Sequence, residues 1–240
     1  MPPPTSISGS PDPAGNRRLL PAATGPILRA TPTRRMDTLA AARELAAIAQ
    51  TGAHYAQDKF DQERYRRLGE IAAGLLAGCS DVPSGTIHAW SKEEFGYATP
   101  KIDVRAFILE GDRVLLVRED ADGGRWTLPG GWADVNEPPS QSVVREVEEE
   151  SGYLVRPLRL LAVLDREKQG HVPPFPYHVY KLFFHCGITG GSPRKTAESS
   201  GSAFFAESAL PELSASRILP GQIHRFFQMV REDGKGTDFD

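Results

Sequence analysis

The segment Gly131–Tyr153 reads GWADVNEPPSQSVVREVEEESGY, and it is the most informative stretch of the chain. It follows the pattern G-x5-E-x7-R-E-U-x-E-E-x-G-U, in which U is a bulky apolar residue. Seven positions of the pattern require a single residue type, each with about one chance in twenty of occurring by accident, so a random match is negligible. The fixed positions are filled by Gly131, Glu137, Arg145, Glu146, Val147, Glu149, Glu150, Gly152 and Tyr153.

The second half of this segment is predicted to be a helix. Pro138 and Pro139 suit a first helical turn, and Ser140 is a good N-cap residue. The helix should run to about Ser151, where Gly152 follows as the expected C-cap.

Three carboxylates recur along this helix at a spacing that places them on one face. Glu146, Glu149 and Glu150 stand at i, i+3 and i+4, so they repel one another unless a cation compensates them. Hard divalent cations such as Mg²⁺ or Mn²⁺ take oxygen ligands of this kind and bridge to substrate phosphates. A solvated acidic face is the alternative, and the glycines and arginine at fixed spacing argue against it.

Residues around the carboxylates have separate expected roles. Glu148 falls at a variable position and is expected on the solvated surface. Glu137 and Arg145 are expected to form an ion pair that fastens the loop to the helix. Gly130 and Gly131 end a strand, and glycine lets a backbone carbonyl approach a ligand closely.

The segment resembles the Nudix box, the signature of metal-dependent hydrolases that cut a diphosphate linked to another group. The resemblance implies an α/β/α sandwich with a mixed sheet, and Mg²⁺ (or Mn²⁺) held by Glu146, Glu149 and Glu150. In that family the residue before the box glycine often adds its carbonyl, so Gly130 is the expected fourth ligand. Arg145 is placed with the catalytic residues, while Gly131, Glu137 and Gly152 are expected to be structural.

One position outside the box departs from the family pattern. A further glutamate is expected a few residues before Phe204, but Gly201 stands nearest to that position and Glu198 lies slightly earlier. The metal would neutralise phosphate charge and lower the pKa of a bound water. Either Glu149 or Glu198 would take the proton, so the general base is left open between them.

Three residues outside the carboxylate set are candidates for substrate binding. Trp132 is expected either to stack on a base or simply to pack, and Arg166 either to contact a phosphate or base or to lie in a solvated loop. His178, like His171, lies by a proline-rich loop, where a structural role is the alternative.

Composition narrows the class of protein further. A net charge of −3 and a pI near 6.1 give no bias toward nucleic acid or an anionic membrane. Cys79 and Cys186 have no metal-type spacing and are expected to be free thiols. No apolar run approaches the roughly 20 residues of a membrane span, and no secretory h-region is evident. A cytoplasmic, soluble protein is therefore expected.

The chain is predicted to have three parts. Residues 1–35 are rich in Pro, Ser, Gly, Ala and Arg and are expected to be disordered. Residues 36–98 carry helical patterns and form a small all-α domain, and residues 99–240 form the Nudix domain of mixed strands and helices. Closing helices are predicted over 210–213 and 223–230.

The resemblance extends over about 37–230, to bacterial Nudix hydrolases with an extra N-terminal helical domain. Gly96–Lys101 and Pro176–Phe184 carry this wider similarity. It implies a nucleoside diphosphate substrate of the CDP-choline or ADP-ribose class and a homodimer formed through the helices. An RNA 5′-pyrophosphohydrolase, or a trimmer of RNA ends, and a non-catalytic nucleotide sensor are the alternatives. The absence of a basic aromatic stripe disfavours RNA, and the intact box disfavours a sensor.

Overall fold

The computed structural model describes residues 37–94, 96–195, 199–232 and 236–240. The predictions for residues 1–35 and for Glu198 lie outside these ranges. The helices are α1 (Thr38–Tyr55), α2 (Lys59–Cys79), α3 (Ser84–Glu93), α4 (Pro139–Ser151) and α5 (Pro220–Arg231). The strands are β1 (Lys101–Glu110), β2 (Arg113–Glu119), β3 (Arg125–Thr127), β4 (Tyr153–Asp165), β5 (Val179–Gly191), β6 (Ser199–Ala206) and β7 (Asp238–Phe239).

The N-terminal helices form the predicted helical region. The Asp37 carboxylate accepts a hydrogen bond from the Leu39 N–H at 3.0 Å, which caps α1, and Asp58 caps α2 in the same way. The many alanines let the helices approach closely over a small core. That core contains Leu39, Ala42, Ala73, Leu76 and Ile87.

The sheet is mixed and has helices on both faces, which confirms the predicted sandwich. Its strand order is β3-β2-β1-β5-β4-β7, with β6 paired to β2, and β1 and β5 run parallel at its centre. Alternate side chains of β1 point to opposite faces. Ala106 and Ile108 pack toward Val147 of α4, whereas Phe107 packs against Phe226 of α5.

The segment before α4 lies along the first half of β1. The Val104 N–H donates to the Gly131 carbonyl and the Ala106 N–H to the Pro129 carbonyl, both at 2.8 Å. β2 pairs with β1 only at the far end of that strand. The glycine-containing segment 129–133 therefore takes the place of a neighbouring strand and is fixed by main-chain hydrogen bonds.

Two details of the C-terminal third differ from the sequence prediction. The helix predicted over 210–213 is wrong: a 3₁₀ turn ends at Ala209, and Leu213 then forms an isolated bridge with Trp126. Pro211 removes a backbone donor, and the Trp126 N–H donates to the Glu212 carbonyl at 3.0 Å. The short strand β7, parallel to β4, was not predicted.

Two composition-based expectations can be compared with this fold. Cys79 is partly exposed and Cys186 is buried, and both are free thiols, as predicted. Across the described ranges, no helix is both long and apolar enough to cross a bilayer.

Candidate active site

Helix α4 ends as predicted but begins differently. Gly152 adopts φ 80° and its N–H donates to the Glu148 carbonyl at 2.9 Å, so it is the expected left-handed C-cap. Ser140 is not the N-cap, because the helix starts one residue earlier, at Pro139. Instead, the Ser142 hydroxyl donates to the Glu137 carboxylate at 2.7 Å and ties the entering loop to the first turn.

The three glutamates predicted to bind metal lie in two different environments. Glu146 and Glu150 are buried on the inner side of α4, whereas the Glu149 side chain is 50% exposed at the rim. Glu148 is exposed, as expected. Gly131 lies directly against Glu146: a Cβ added there would stand 2.7 Å from its Oε2 atom. The backbone preceding α4 thus adjoins the buried carboxylates.

Arg145 joins the loop to the carboxylates. Its Nη2 atom lies 3.1 Å from Glu137, which is the predicted ion pair. Its Nη1 atom lies 2.9 Å from Glu146 and 2.8 Å from Glu149. One guanidinium therefore binds Glu137 in the loop and, at the same time, Glu146 and Glu149 on the helix.

Burial raises the pKa of both inner carboxylates, Glu146 and Glu150. Burial raises the pKa of Glu150 to about 8, although the charge of Arg105 and the Gly130 N–H, 2.7 Å from its Oε2 atom, both act to lower it. The pKa of Glu146 is also raised, again chiefly by burial. A bound cation would favour the ionised form of both groups.

Chemically, these residues fit a hard divalent cation. They supply oxygen donors, and two of the carboxylates are buried, so that a bound cation would stabilise their ionised form. The carbonyls of Pro129 and Gly131 accept main-chain hydrogen bonds from β1, whereas within the described part of the chain the Gly130 carbonyl between them accepts none from the main chain. No group of three His, Cys, Asp or Glu side chains is arranged for a metal among the described residues. Glu146 and Glu149 are turned to Arg145 and Glu150 to a backbone N–H, so metal binding requires them to leave these partners.

Strands β1 and β5 carry a buried cluster of charged side chains that was not predicted from the sequence. Asp103 receives two hydrogen bonds from Arg105, at 3.0 and 2.7 Å, and one from Lys181 at 2.6 Å. Burial alone would raise the pKa of Asp103, but the two cations lower it to about 2. The signal was present in β1, where KIDVRAFILE places Asp103 and Arg105 on one face of an otherwise apolar strand.

Of the three substrate-binding candidates, Trp132 and Arg166 both lie against the Phe175 ring, whereas His178 pairs with Asp165. Trp132 is 49% exposed, and its ring lies 6.2 Å from that of Phe175 with an interplanar angle of 28°. Arg166 is buried rather than solvated, and it donates to the Pro173 carbonyl at 2.8 Å. His178 lies 3.1 Å from the Asp165 carboxylate.

Two acidic residues bear on the question of the general base. The Ser199 hydroxyl donates to the Glu150 carbonyl at 2.6 Å, which places the residue after Glu198 against the end of α4. Glu119, at the end of β2, lies close enough for its charge to raise the pKa of Glu150. No sequence motif pointed to Glu119, because the pairing of β2 with β6 brings it there.

His171 is buried beside the charged cluster, and this predicts a pH effect on stability. Its Nδ1 atom donates to the Ala215 carbonyl at 3.0 Å, and its buried Nε2 atom has no hydrogen-bond partner within the described ranges. Burial lowers its pKa from 6.5 to about 4. The unfolded state therefore binds more protons between these values, so the stability due to neutral His171 is complete above pH 6.5 and is lost as the pH falls toward 4.

Replacing His171 with asparagine should flatten this dependence, since an amide can keep the bond to Ala215 and does not titrate. Between pH 8 and pH 5, the wild type should lose about 2 kcal/mol more unfolding free energy than His171→Asn. Urea denaturation at both pH values measures the difference. His54→Asn, at an exposed histidine, is the control, and equal pH dependence in all three proteins would contradict the assignment.

The fold and site can now be compared with known proteins. Residues 99–222 match the family model described as NUDIX domain, and residues 36–90 match the model described as UDP-X-like, N-terminal oligomerisation domain. A protein of Bacillus subtilis named "Putative ADP-ribose pyrophosphatase" is 42% identical over 199 residues, which is 83% of this chain and 95% of the relative.

Two solved structures are also similar. The crystal structure of a UDP-X diphosphatase is 33% identical, with a TM-score of 0.55, and the match covers 85% of this chain and all of that one. An ADP-ribose pyrophosphatase from Streptococcus suis is 37% identical, with a TM-score of 0.54, and the match covers 59% of this chain and all of that one.

Proposed function

This chain belongs to the Nudix family and is a Nudix hydrolase, and we propose that it hydrolyses, with Mg²⁺ or Mn²⁺, the pyrophosphate bond of a nucleoside diphosphate linked to a small moiety. The observation that carries the proposal is the arrangement on α4. Of its two buried glutamates, Glu146 lies against the box glycine Gly131 and Glu150 accepts from the Gly130 N–H, while Glu149 stands half exposed beside them.

The cation would be held by Glu146, Glu149 and Glu150 together with the Gly130 carbonyl. When bound, it would offset phosphate charge and make a water more acidic. In the proposed reaction, a water attacks one phosphorus, and the bond from that phosphorus to the bridging oxygen breaks, so that this oxygen leaves with the other phosphate. Glu149 is the proposed proton acceptor because its carboxylate is open to solvent, and Glu198 is the alternative.

Arg145 and the motif glycines would serve this reaction by position. Arg145 pairs with Glu146 and Glu149 while no cation is bound, and Glu137 would keep its guanidinium beside the site once they turn to one. Gly131 leaves room for Glu146, and Gly152 ends α4 just after the last carboxylate. These contacts hold the reacting groups on one rigid helix, which is how preorganised sites lower a barrier.

The proposed substrate class draws on the relatives and on one aromatic residue. The names of two relatives refer to ADP-ribose and that of a third to UDP-X. Trp132 directly follows the box glycine, and its half-exposed ring is suited to stacking on a nucleobase. We favour ADP-ribose, with CDP-choline as the second candidate.

A substrate screen with Mg²⁺ tests the function. ADP-ribose, CDP-choline, NADH, sugar nucleotides, nucleoside triphosphates and 5′-triphosphate RNA should be compared at equal concentration, with EDTA as control. We expect release of a nucleoside monophosphate from one of the nucleoside diphosphate derivatives, and loss of that activity in EDTA. Turnover of RNA alone, or nucleotide binding without product formation in the presence of either Mg²⁺ or Mn²⁺, would contradict the proposal.

We also propose that residues 36–98 form a separate dimerisation domain ahead of the hydrolase domain at 99–240. The match of residues 36–90 to an oligomerisation domain supports it. So do Ile48, Ile71 and Leu75, which are apolar yet exposed on α1 and α2. Light scattering should give twice the chain mass of 26.2 kDa, and the mass of a monomer at micromolar concentration would argue against a dimer.

A further inference from the structure

The loop from Arg166 to His178, which joins β4 to β5, is held by a residue far away in the sequence. Arg43 of α1 donates to the carbonyls of Phe175 and Pro176, the latter at 3.2 Å. Its side chain is only 14% exposed. A charged donor that binds two adjacent carbonyls from a sheltered position fixes the main chain there in both place and orientation.

A second contact ties Arg43 to the beginning of the same loop. The Glu167 carboxylate lies 3.1 Å from Arg43 and 2.7 Å from Arg166, so one acid bridges two arginines. Arg166 in turn donates to the Pro173 carbonyl, and its guanidinium lies 5.6 Å from the centre of the Phe175 ring. Without Arg43, both the carboxylate and the two carbonyls would lose a cationic partner.

The ring that this network places faces the candidate base-binding residue. Phe175 lies beside Trp132 in a nearly parallel arrangement, and Trp132 follows Gly131, which contacts Glu146. A continuous path of contacts therefore runs from α1 through the loop and the ring pair to the carboxylates.

We propose that Arg43 is a positioning residue for substrate recognition, acting through Phe175 on Trp132. The N-terminal helices would then contribute to the affinity for the nucleobase within a single chain, in addition to any role in assembly. This inference rests on the proposed function, since it assumes that a nucleoside diphosphate derivative stacks on Trp132. Arg43 itself lies behind the loop, and its expected effect is on substrate binding rather than on bond breaking.

The test is a steady-state comparison of Arg43→Ala with the wild type on the substrate that the screen identifies. KM should rise about tenfold while kcat changes less than about twofold, because only uniform binding is weakened. Arg43→Lys keeps the charge beside Glu167 but cannot reproduce the fork to two carbonyls, so its KM should be intermediate. Arg66→Ala is the matched control, since Arg66 is exposed and pairs with Glu63 and Glu70 of its own helix, α2.

A double-mutant cycle separates action through Phe175 from a general loss of structure. In the Phe175→Ala background, adding Arg43→Ala should change KM less than about twofold, because the path is already broken. In the absence of substrate, amide hydrogen exchange of the Arg43→Ala variant should be faster than that of the wild type in peptides covering 166–178. It should be unchanged in peptides covering α4. Unchanged KM in Arg43→Ala, a fall in kcat alone, or additive effects in the cycle would overturn the inference. A wild type inactive on every nucleotide would instead refute the proposed function.

Discussion

Replacing Glu150 with glutamine should lower kcat for the nucleoside diphosphate substrate by about a thousandfold or more. A metal-bound transition state depends on several kcal/mol of charge stabilisation, and each 1.36 kcal/mol lost costs about tenfold in rate. Folding should survive, because the ionised carboxylate is disfavoured by its buried position and glutamine is a neutral replacement of similar size. Rates under saturating Mg²⁺, with denaturation curves on the same samples, measure both effects.

The neighbouring glutamates provide the controls. Glu146→Gln and Glu149→Gln should also be strongly impaired, and all three variants should bind Mn²⁺ more weakly in electron paramagnetic resonance titrations. Glu148→Gln changes an exposed carboxylate on the same helix and should keep kcat within about twofold. Near-normal turnover in Glu149→Gln and Glu150→Gln together would refute the assignment of these carboxylates.

Replacing Gly130 with alanine should destabilise the protein by about 4 kcal/mol or more. Gly130 has φ 138°, and an added Cβ would lie 2.0 Å from the Val104 carbonyl oxygen and 2.9 Å from the Arg105 Cα atom. Both obstacles are backbone atoms of the central strand, so no side-chain rotation can relieve the clash. The midpoint of urea denaturation should fall sharply, or the protein should accumulate as insoluble material.

Gly201→Ala is the matched control for this prediction, since a Cβ there meets nothing within 4 Å. Its stability should stay within about 0.5 kcal/mol of the wild type, or rise slightly through reduced freedom of the unfolded chain. Gly130→Ala with the stability of the wild type would mean that segment 129–133 does not lie against β1 as described.

Features with local causes could be predicted from the sequence. The left-handed Gly152 cap and the Glu137–Arg145 pair each depend on residues close together in the chain, and both are present. The sandwich followed from the alternation of helical and strand patterns together with the family resemblance. Local chemistry and a dense motif were therefore sufficient for the fold and for the carboxylate helix.

Features created by distant pairing could not be predicted in the same way. The buried position of Arg166, the approach of Glu119 to Glu150 and the contact of Arg43 with Phe175 all join segments far apart in the chain. The wrong helix at 210–213 has the same origin, because a backbone partner in β3 outweighs the helical propensity of a short leucine-containing segment. Tertiary context decides such positions.

The attachment of segment 129–133 to β1 has a consequence for how the substrate range of such an enzyme can change. Main-chain hydrogen bonds anchor this segment, whereas loop 166–178 is secured by the side chains of Arg43, Glu167 and Arg166. Substitutions in the loop and in α1 can therefore accumulate together without moving the backbone that adjoins the carboxylates. A library randomised at those positions should yield altered substrate preference far more often than inactive protein.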